Sequence, residues 1–389
     1  MLISLALIFI GGLMLSSICV KLKLPSLLAF LIIGIVLNSF NLIDSKILNI
    51  SAELRQIALI IILTRAGLTL NIEDLKKIGR PAVLMCFVPA SFEIAAVTVL
   101  GHFLFDLPIA EALLLGSVLA AVSPAVIVPR MIKMIENGQG VAKGIPQLIM
   151  AGSSVDDIFV IVAFTTFLSL STGGTFTALS IINIPLAIIF GAIAGIVTAF
   201  VLIKLFKKVH MRDSIKVIIF LSVAFLLVAL ENAFKEIIGF SGLIAVMTCG
   251  MVILTKYEIL AVRLSSKFSK LWIAAEILLF VLVGAAVDIN VIFDNLLNGV
   301  LLILGALTIR ICGVLVCLIK TNLSKKEKLF CSLSYTPKAT VQAAIGGIPL
   351  YYGIASGNLI LSIAVLSIII TAPIGAYFID LSINKLVKN

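Results

Sequence analysis

Long apolar runs, interrupted by charges, Pro and Gly, recur from one end of this chain to the other. Runs of this kind, about 20 residues each, are what an α-helix needs to cross the hydrocarbon of a bilayer. They centre near residues 11, 34, 62, 93, 122, 159, 193, 223, 247, 279, 307, 340 and 369. The pattern therefore predicts an all-α polytopic membrane protein with about 13 transmembrane helices. The connections between runs are too short to hold a soluble domain, so the chain is expected to be a single integral membrane unit over residues 1–389. The first run, Leu2 to Val20, has no basic stretch ahead of it and no small-residue cleavage signature. It reads as a retained first helix rather than a signal peptide.

Composition sharpens this picture by exclusion. The 389 residues are 61% hydrophobic and 12% charged, with a mean hydropathy of +1.27, whereas soluble domains carry about 25% charged residues. A soluble enzyme, a disordered chain, a coiled coil, a disulfide scaffold and a nucleic-acid binder are all excluded. The net charge of +10 matters only through its placement. Lys21 and Lys23; Lys76, Lys77 and Arg80; Arg130, Lys133 and Lys143; Lys204, Lys207, Lys208, Arg212 and Lys216; Lys256, Arg263, Lys267 and Lys270; Lys320, Lys325, Lys326 and Lys328; and Lys385 and Lys388 fall in alternate connections. The other connections hold only Lys46, Arg55 and Lys235. Under the positive-inside rule this places the N-terminus outside and the C-terminus in the cytoplasm. With no targeting extension ahead of the first span, residence in a cell membrane of the prokaryotic kind is expected.

The cysteines at 19, 86, 249, 312, 317 and 331 show no metal or redox spacing and read as small packing residues. The only histidines, His102 and His210, lie near span ends, and no GxxxxGK[ST] phosphate loop is present. Enzyme chemistry and a bound cofactor are thus not expected, and energy must come from an ion gradient.

Charges inside spans are costly and mark ion pairs, relays or pathways. Glu93, Asp156, Asp157, Arg310, Lys338 and Arg65 qualify. Asp156 and Asp157 stand together in LIMAGSSVDDIFVIVAF, where two adjacent carboxylates can trade a proton for a cation. Neighbours on a helix point about 100° apart, so one of them is expected to be the main ligand. Arg65 sits near a helix end and can snorkel, while Glu276 is a candidate for an entry funnel. Glu93 and Arg310 read either as a structural salt bridge or as part of the coupling.

Two spans carry Pro within the apolar run, SVLAAVSPAVIVPRM with Pro124 and Pro129, and SLSYTPKATVQAAIGG with Pro337. Each removes a backbone donor, which hydrocarbon tolerates only where the break is buried in protein or lines a cavity. If 1–171 and 213–389 are two six-helix halves joined by a linking helix within 172–212, both breaks fall on the fifth member and Glu93 and Arg310 on the fourth. An even number of spans plus the linker inverts the second half, and paired interrupted helices in inverted repeats point to a transporter site near the midplane. Crossed half-helix ends need charge compensation. Lys338 suits the carbonyl ends, and Ser123 or an acid suits the amide ends.

On LRQIALIIILTRAGL (Leu54 to Leu68), AVSPAVIVPRM (Ala121 to Met131), SSVDDI (Ser153 to Ile158), the Arg310 span and PKATVQAAIG (Pro337 to Gly346), the chain resembles the monovalent cation/proton antiporters, within them the sodium/proton antiporters of the NHA-type subgroup. The resemblance implies an NhaA-like fold of two inverted six-helix repeats with crossed broken helices. It also implies a core formed by spans four to six and eleven to thirteen, moving against a dimerisation domain. Asp157 would be the principal sodium and proton carboxylate and Asp156 its partner, with Ser153, Ser154 and the carbonyls near Val122 and Ser123 as further ligands. Glu93 would pair with Arg310, and Lys338 would compensate the helix crossing. One residue departs from the electrogenic relatives, which carry a lysine where this chain has Arg310, and arginine does not release its proton.

The expectation is a secondary active antiporter exchanging Na+ or Li+ for H+ by alternating access, as a homodimer in the lipid bilayer with no nucleic-acid partner. A gated cation channel, a sodium-coupled organic-solute symporter and a K+/H+ antiporter are the alternatives.

Overall fold

The computed structural model of the chain describes residues 1–22, 24–70, 79–172, 178–234 and 240–387, without the side chains of 154, 178–185, 232–234 and 384. Of the residues singled out above, Lys23, Lys76, Lys77, Lys235 and Lys388 lie outside the described residues, as does the side chain of Ser154.

The described backbone is helical, with no strand among the described residues. The principal helices are α1 (Leu2–Lys21), α2 (Ser26–Ser39), α3 (Ser51–Thr69), α4 (Arg80–Met85), α5 (Val88–Phe105), α6 (Ile109–Ala120), α7 (Pro124–Glu136) and α8 (Ile145–Ser171). They continue with α9 (Ala178–Lys208), α10 (Asp213–Phe234), α11 (Gly242–Lys256), α12 (Glu258–Ala286), α13 (Leu296–Cys317), α14 (Lys325–Ser334), α15 (Thr340–Ile345) and α16 (Gly357–Leu386). Among the described residues, nine helical stretches are long and apolar enough to cross a membrane. The other expected spans coincide with helices that miss this measure for visible reasons. The α2 and α11 helices are only 14 and 15 residues long, α3 carries Glu53, Arg55 and Arg65, and the span near residue 340 is split into α14 and α15.

Among the described residues, three spans are interrupted. Between α6 and α7 the chain is extended at Ala121 and Ser123, and Pro124 opens α7, where a missing amide hydrogen is harmless. Pro129, expected to contribute to this break, lies inside α7 and does not interrupt it. Between α14 and α15 the break covers Tyr335 to Ala339, including Pro337. The third break, at Cys86 and Phe87 between α4 and α5, was not expected; Pro89 in the first turn of α5 is its sequence signal.

The chain divides into two compact units. The first comprises Met1–Ala52, Asp74–Gly174 and Ile277–Asn389, the second Glu53–Glu73 and Thr175–Glu276. Within the first, α13 runs along α5, α8 packs on α6 and α7, and α16 packs on α14. Met85, Val122, Ile127, Met131, Ile149, Phe330, Tyr335 and Ile379 form a fully buried apolar cluster at the crossing of the broken helices. Within the second unit, α9 and α10 pack on α11. Apolar side chains also cover outward faces, as with Ile3 at 77% and Met14 at 66% exposure on α1. Facing lipid, such residues gain little by meeting another helix, so cohesion depends on close van der Waals packing and buried polar contacts. Gly34 and Gly284 show the first: a side chain on either would overlap the backbone carbonyl of Val281 or Leu31, so α2 and the end of α12 meet backbone to backbone. All six cysteines are free.

Candidate functional site

The second kind of cohesion, buried polar contact, is concentrated where the two broken helices of the first unit cross. Because α6 stops at Ala120, its last carbonyls have no intrahelical partner, and a buried unpaired carbonyl is expensive. Three consecutive carbonyls at this end, those of Leu119, Ala120 and Ala121, are met from the other half of the chain. The Leu119 and Ala121 carbonyls accept from Gln342 Nε2 at 3.1 and 2.7 Å, and the Ala120 carbonyl accepts from an Arg310 guanidinium nitrogen. The extended segments are joined directly, the Ser123 amide donating to the Pro337 carbonyl at 2.8 Å. On the other break, Arg310 Nε donates to the Tyr335 carbonyl at 2.8 Å, the Ala339 amide to Gln342 Oε1 at 2.9 Å, and the Lys338 amide to Thr371 Oγ1 at 2.9 Å.

Four charged side chains interlock around this crossing. Glu93 Oε2, from α5, accepts from both Arg310 and Lys338 Nζ at 2.6 Å. Asp156 Oδ2, from α8, accepts from Arg310 at 2.7 Å and from the Val122 amide at 3.2 Å. All four are buried. The planar guanidinium suits this position because its fork can serve several acceptors at once. Two cations thus face two carboxylates, and the cluster is neutral.

Asp157 stands outside that balance. It is buried, and among the described residues it makes no hydrogen bond or ion pair; Asp157 Oδ1, Asp156 Oδ1 and Ser123 Oγ all lack a partner. Successive residues point about 100° apart on a helix, so α8 turns Asp156 towards Arg310 and Asp157 away from it. A lone buried carboxylate demands a proton or a cation, and carboxylate and hydroxyl oxygens of the kind left open here are hard donors suited to small hard cations.

The structure therefore gathers Glu93, Asp156, Arg310, Lys338, Val122 and Ser123 into one cluster with Asp157 beside it. Ser153 is buried but donates to the Met150 carbonyl of its own helix at 3.1 Å. The Lys338 ammonium meets Glu93 rather than helix carbonyls, which accept from Arg310 and Gln342 instead. Arg65 and Glu276 belong to the second unit, Glu276 within hydrogen-bonding reach of Trp272. Sequence reasoning passed over Gln342, whose signal was a lone amide in the apolar run after Pro337. It also passed over Tyr335, whose hydroxyl, buried and without a hydrogen-bond partner among the described residues, occupies the place a side chain at Gly152 would need.

Outside the candidate spans, Lys143 Nζ holds both oxygens of Glu327 at 2.9 Å, and Glu327 closes a capping box with Ser324 at the start of α14. Burial opposes ionisation of Glu327, but the bonds from Lys143 and Ser324 outweigh it and hold the carboxyl below the usual glutamate range.

The sodium/hydrogen exchanger (transmembrane) family matches residues 5–380 of the chain. Sodium/hydrogen exchanger 9B1 of Homo sapiens is 33% identical over 384 residues, covering 94% of this chain and 74% of that protein. Sodium/hydrogen exchanger 9B2 of the same species is 34% identical over 373 residues, covering 92% and 69%. The solved structure of the sodium proton antiporter MjNhaP1 from Methanocaldococcus jannaschii at pH 8 shares the fold, with a TM-score of 0.84 at 22% identity over 98% of this chain and 97% of that one.

Proposed function

The chain belongs to the sodium/hydrogen exchanger family, and from that premise we propose that it exchanges Na+ or Li+ for H+ by alternating access, with Asp157 as the carboxylate for which cation and proton compete. As a member it is a multi-pass membrane transporter rather than an enzyme; its transported ions are Na+ and H+, and it needs no cofactor.

The observation that carries the finer reading is the charge balance of the buried cluster. Arg310 and Lys338 are answered by Glu93 and Asp156, which leaves one carboxylate, Asp157, to be neutralised by cargo. Protonated or cation-bound, the site has the same net charge. Empty and ionised, it carries a lone buried charge, which costs several kcal/mol. The core then crosses between its two orientations only when loaded, and that condition couples the two fluxes. Arg310 keeps its proton and stays on Asp156, so one proton leaves per monovalent cation taken. Exchange is electroneutral on this reading. Asp156 Oδ1, Ser123 Oγ and the Val122 carbonyl are the further ligands we assign.

Paired breaks at 121–123 and 335–339 support the reading of 1–171 and 213–389 as inverted halves linked through 172–212. A homodimer, and an N-terminus outside with the C-terminus in the cytoplasm, complete the proposal on the strength of the family and of the alternating basic residues.

Reconstituted protein tests this reading. Proteoliposomes are given Na+, Li+ or K+ while lumenal pH is followed, with the membrane potential clamped or free. Proton flux driven by Na+ and Li+, unchanged by the clamp and abolished by Asp157→Asn, is expected. Full flux in Asp157→Asn overturns the site, strong dependence on the clamp overturns the stoichiometry, and flux driven by K+ alone overturns the cation.

A further inference from the structure

Gln342 carries no charge and touches no carboxylate, yet it makes more contacts across the helix crossing than any neutral side chain described there. It is fully buried. Its amide nitrogen reaches the Leu119 and Ala121 carbonyls, and its amide oxygen accepts from the Ala339 amide, three residues back at the start of its own helix. With Arg310 on the Ala120 carbonyl, three consecutive carbonyls at the end of α6 are occupied by donors from α13 and α15.

Two consequences follow for the ion site. Residues 119–121 lead directly into Val122 and Ser123. The Val122 amide donates to Asp156, and the Ser123 amide donates to the Pro337 carbonyl. Fixing 119–121 therefore fixes the amide that holds Asp156 in place. The occupied carbonyls are also withdrawn from competition for a cation. Left open, the carbonyl end of a helix is itself a weak cation site, and a cation held there would sit beside Arg310 rather than beside Asp157.

We infer that Gln342 is a positioning residue for cation exchange: its side-chain amide clamps the α6 carbonyl end to the start of α15, which sets the Val122 amide on Asp156 and keeps the transported cation at Asp157. This rests on the exchange reading above, although the clamp itself can be tested without flux.

Gln342→Glu is the informative substitution because it keeps the shape. As the neutral acid it retains one donor for the Ala121 carbonyl and one acceptor for the Ala339 amide. Ionised, it has no donor and sets a negative charge against two carbonyls. The charged groups around the crossing, Arg310, Lys338, Glu93 and Asp156, are already engaged with one another. Gln342→Leu removes all three bonds at every pH.

The variants are purified at acid pH, reconstituted, and assayed against the parent at each pH, with Asp157→Asn as the blank. Gln342→Leu is expected to raise KM for Na+ about tenfold or more at all pH values, the scale of two buried carbonyls losing their donors. Gln342→Glu is expected to approach the parent at acid pH, and its flux relative to the parent should fall as pH rises while KM climbs. Hydrogen exchange at the Val122 and Ser123 amides is measured on the same samples and should quicken in Gln342→Leu. Parent KM and parent exchange protection in both variants overturn the inference, as does a Gln342→Glu protein with no flux even at acid pH. If the parent itself shows no sodium-driven proton flux while the amides still quicken in Gln342→Leu, the exchange reading fails and the clamp stands.

Discussion

Arg310 donates to Asp156 Oδ2 at 2.7 Å and thereby distinguishes two adjacent aspartates, since its described hydrogen bonds go to Asp156, Glu93 and backbone carbonyls and none to Asp157. The pair DD looks symmetrical in the sequence, but Asp156 is bonded to Arg310 while Asp157 has no hydrogen bond among the described residues; under the proposed exchange the first belongs to the scaffold and the second to the cargo. Opposite effects on stability and transport are expected when each is neutralised.

Asp156→Asn leaves Arg310 short of a carboxylate in a buried site, and breaking a buried pair in this way costs about 3–5 kcal/mol. A clear drop in the melting temperature of purified protein is therefore expected. Asp157→Asn removes an unanswered buried charge, so its melting temperature should equal or exceed that of the parent while exchange is lost. Thermal unfolding of the two variants side by side decides it, and an equal fall in both rejects the division of roles.

Arg310→Lys keeps the charge and discards the fork. A single ammonium cannot reach Glu93, Asp156 and the Ala120 and Tyr335 carbonyls together, so carbonyls on both broken helices lose their donor. Lower thermal stability and flux well below the parent are expected. Retention of parental stability and turnover would show that charge alone, not geometry, holds the crossing.

Gly152 and Tyr335 form a tight fit between α8 and the second break. Gly152→Ala places its methyl group on the Tyr335 hydroxyl, and overpacking of this kind costs about 1–3 kcal/mol. Tyr335→Phe removes the worst overlap, a hydroxyl with no hydrogen-bond partner among the described residues to lose, and leaves the lesser one with Met85 Cβ at 2.9 Å. The double variant should therefore recover part of the stability lost in Gly152→Ala, as read in a double-mutant cycle of melting temperatures. Additive losses would place the strain elsewhere.

Glu327 offers a test by pH. Its folded carboxyl titrates below the ordinary glutamate value of 4.5 because Lys143 and Ser324 hold the anion. The contribution is thus complete above that value and fades as pH falls through the lower, folded one. Parent and Glu327→Gln should differ in melting temperature at neutral pH and converge in acid. A difference that persists once the folded carboxyl is protonated assigns the effect to the capping bonds rather than to the charge.

The sequence by itself determined the membrane spans, two of the three breaks and the charges buried at the helix crossing. Hydrocarbon imposes those constraints locally: a run must be apolar and long enough, a proline must lose its bond where it stands, and a charge such as Arg310 must find some partner. The third break, at Cys86 and Phe87, was written more faintly, in Pro89 of a span that otherwise reads as continuous. Only the tertiary structure decided which partner each group took. Lys338 meets Glu93, 245 residues away, and Gln342 rather than Lys338 meets the carbonyls of Leu119 and Ala121. No local pattern holds that information, because hydrogen bonds across a crossing depend on the register in which two distant extended segments pass.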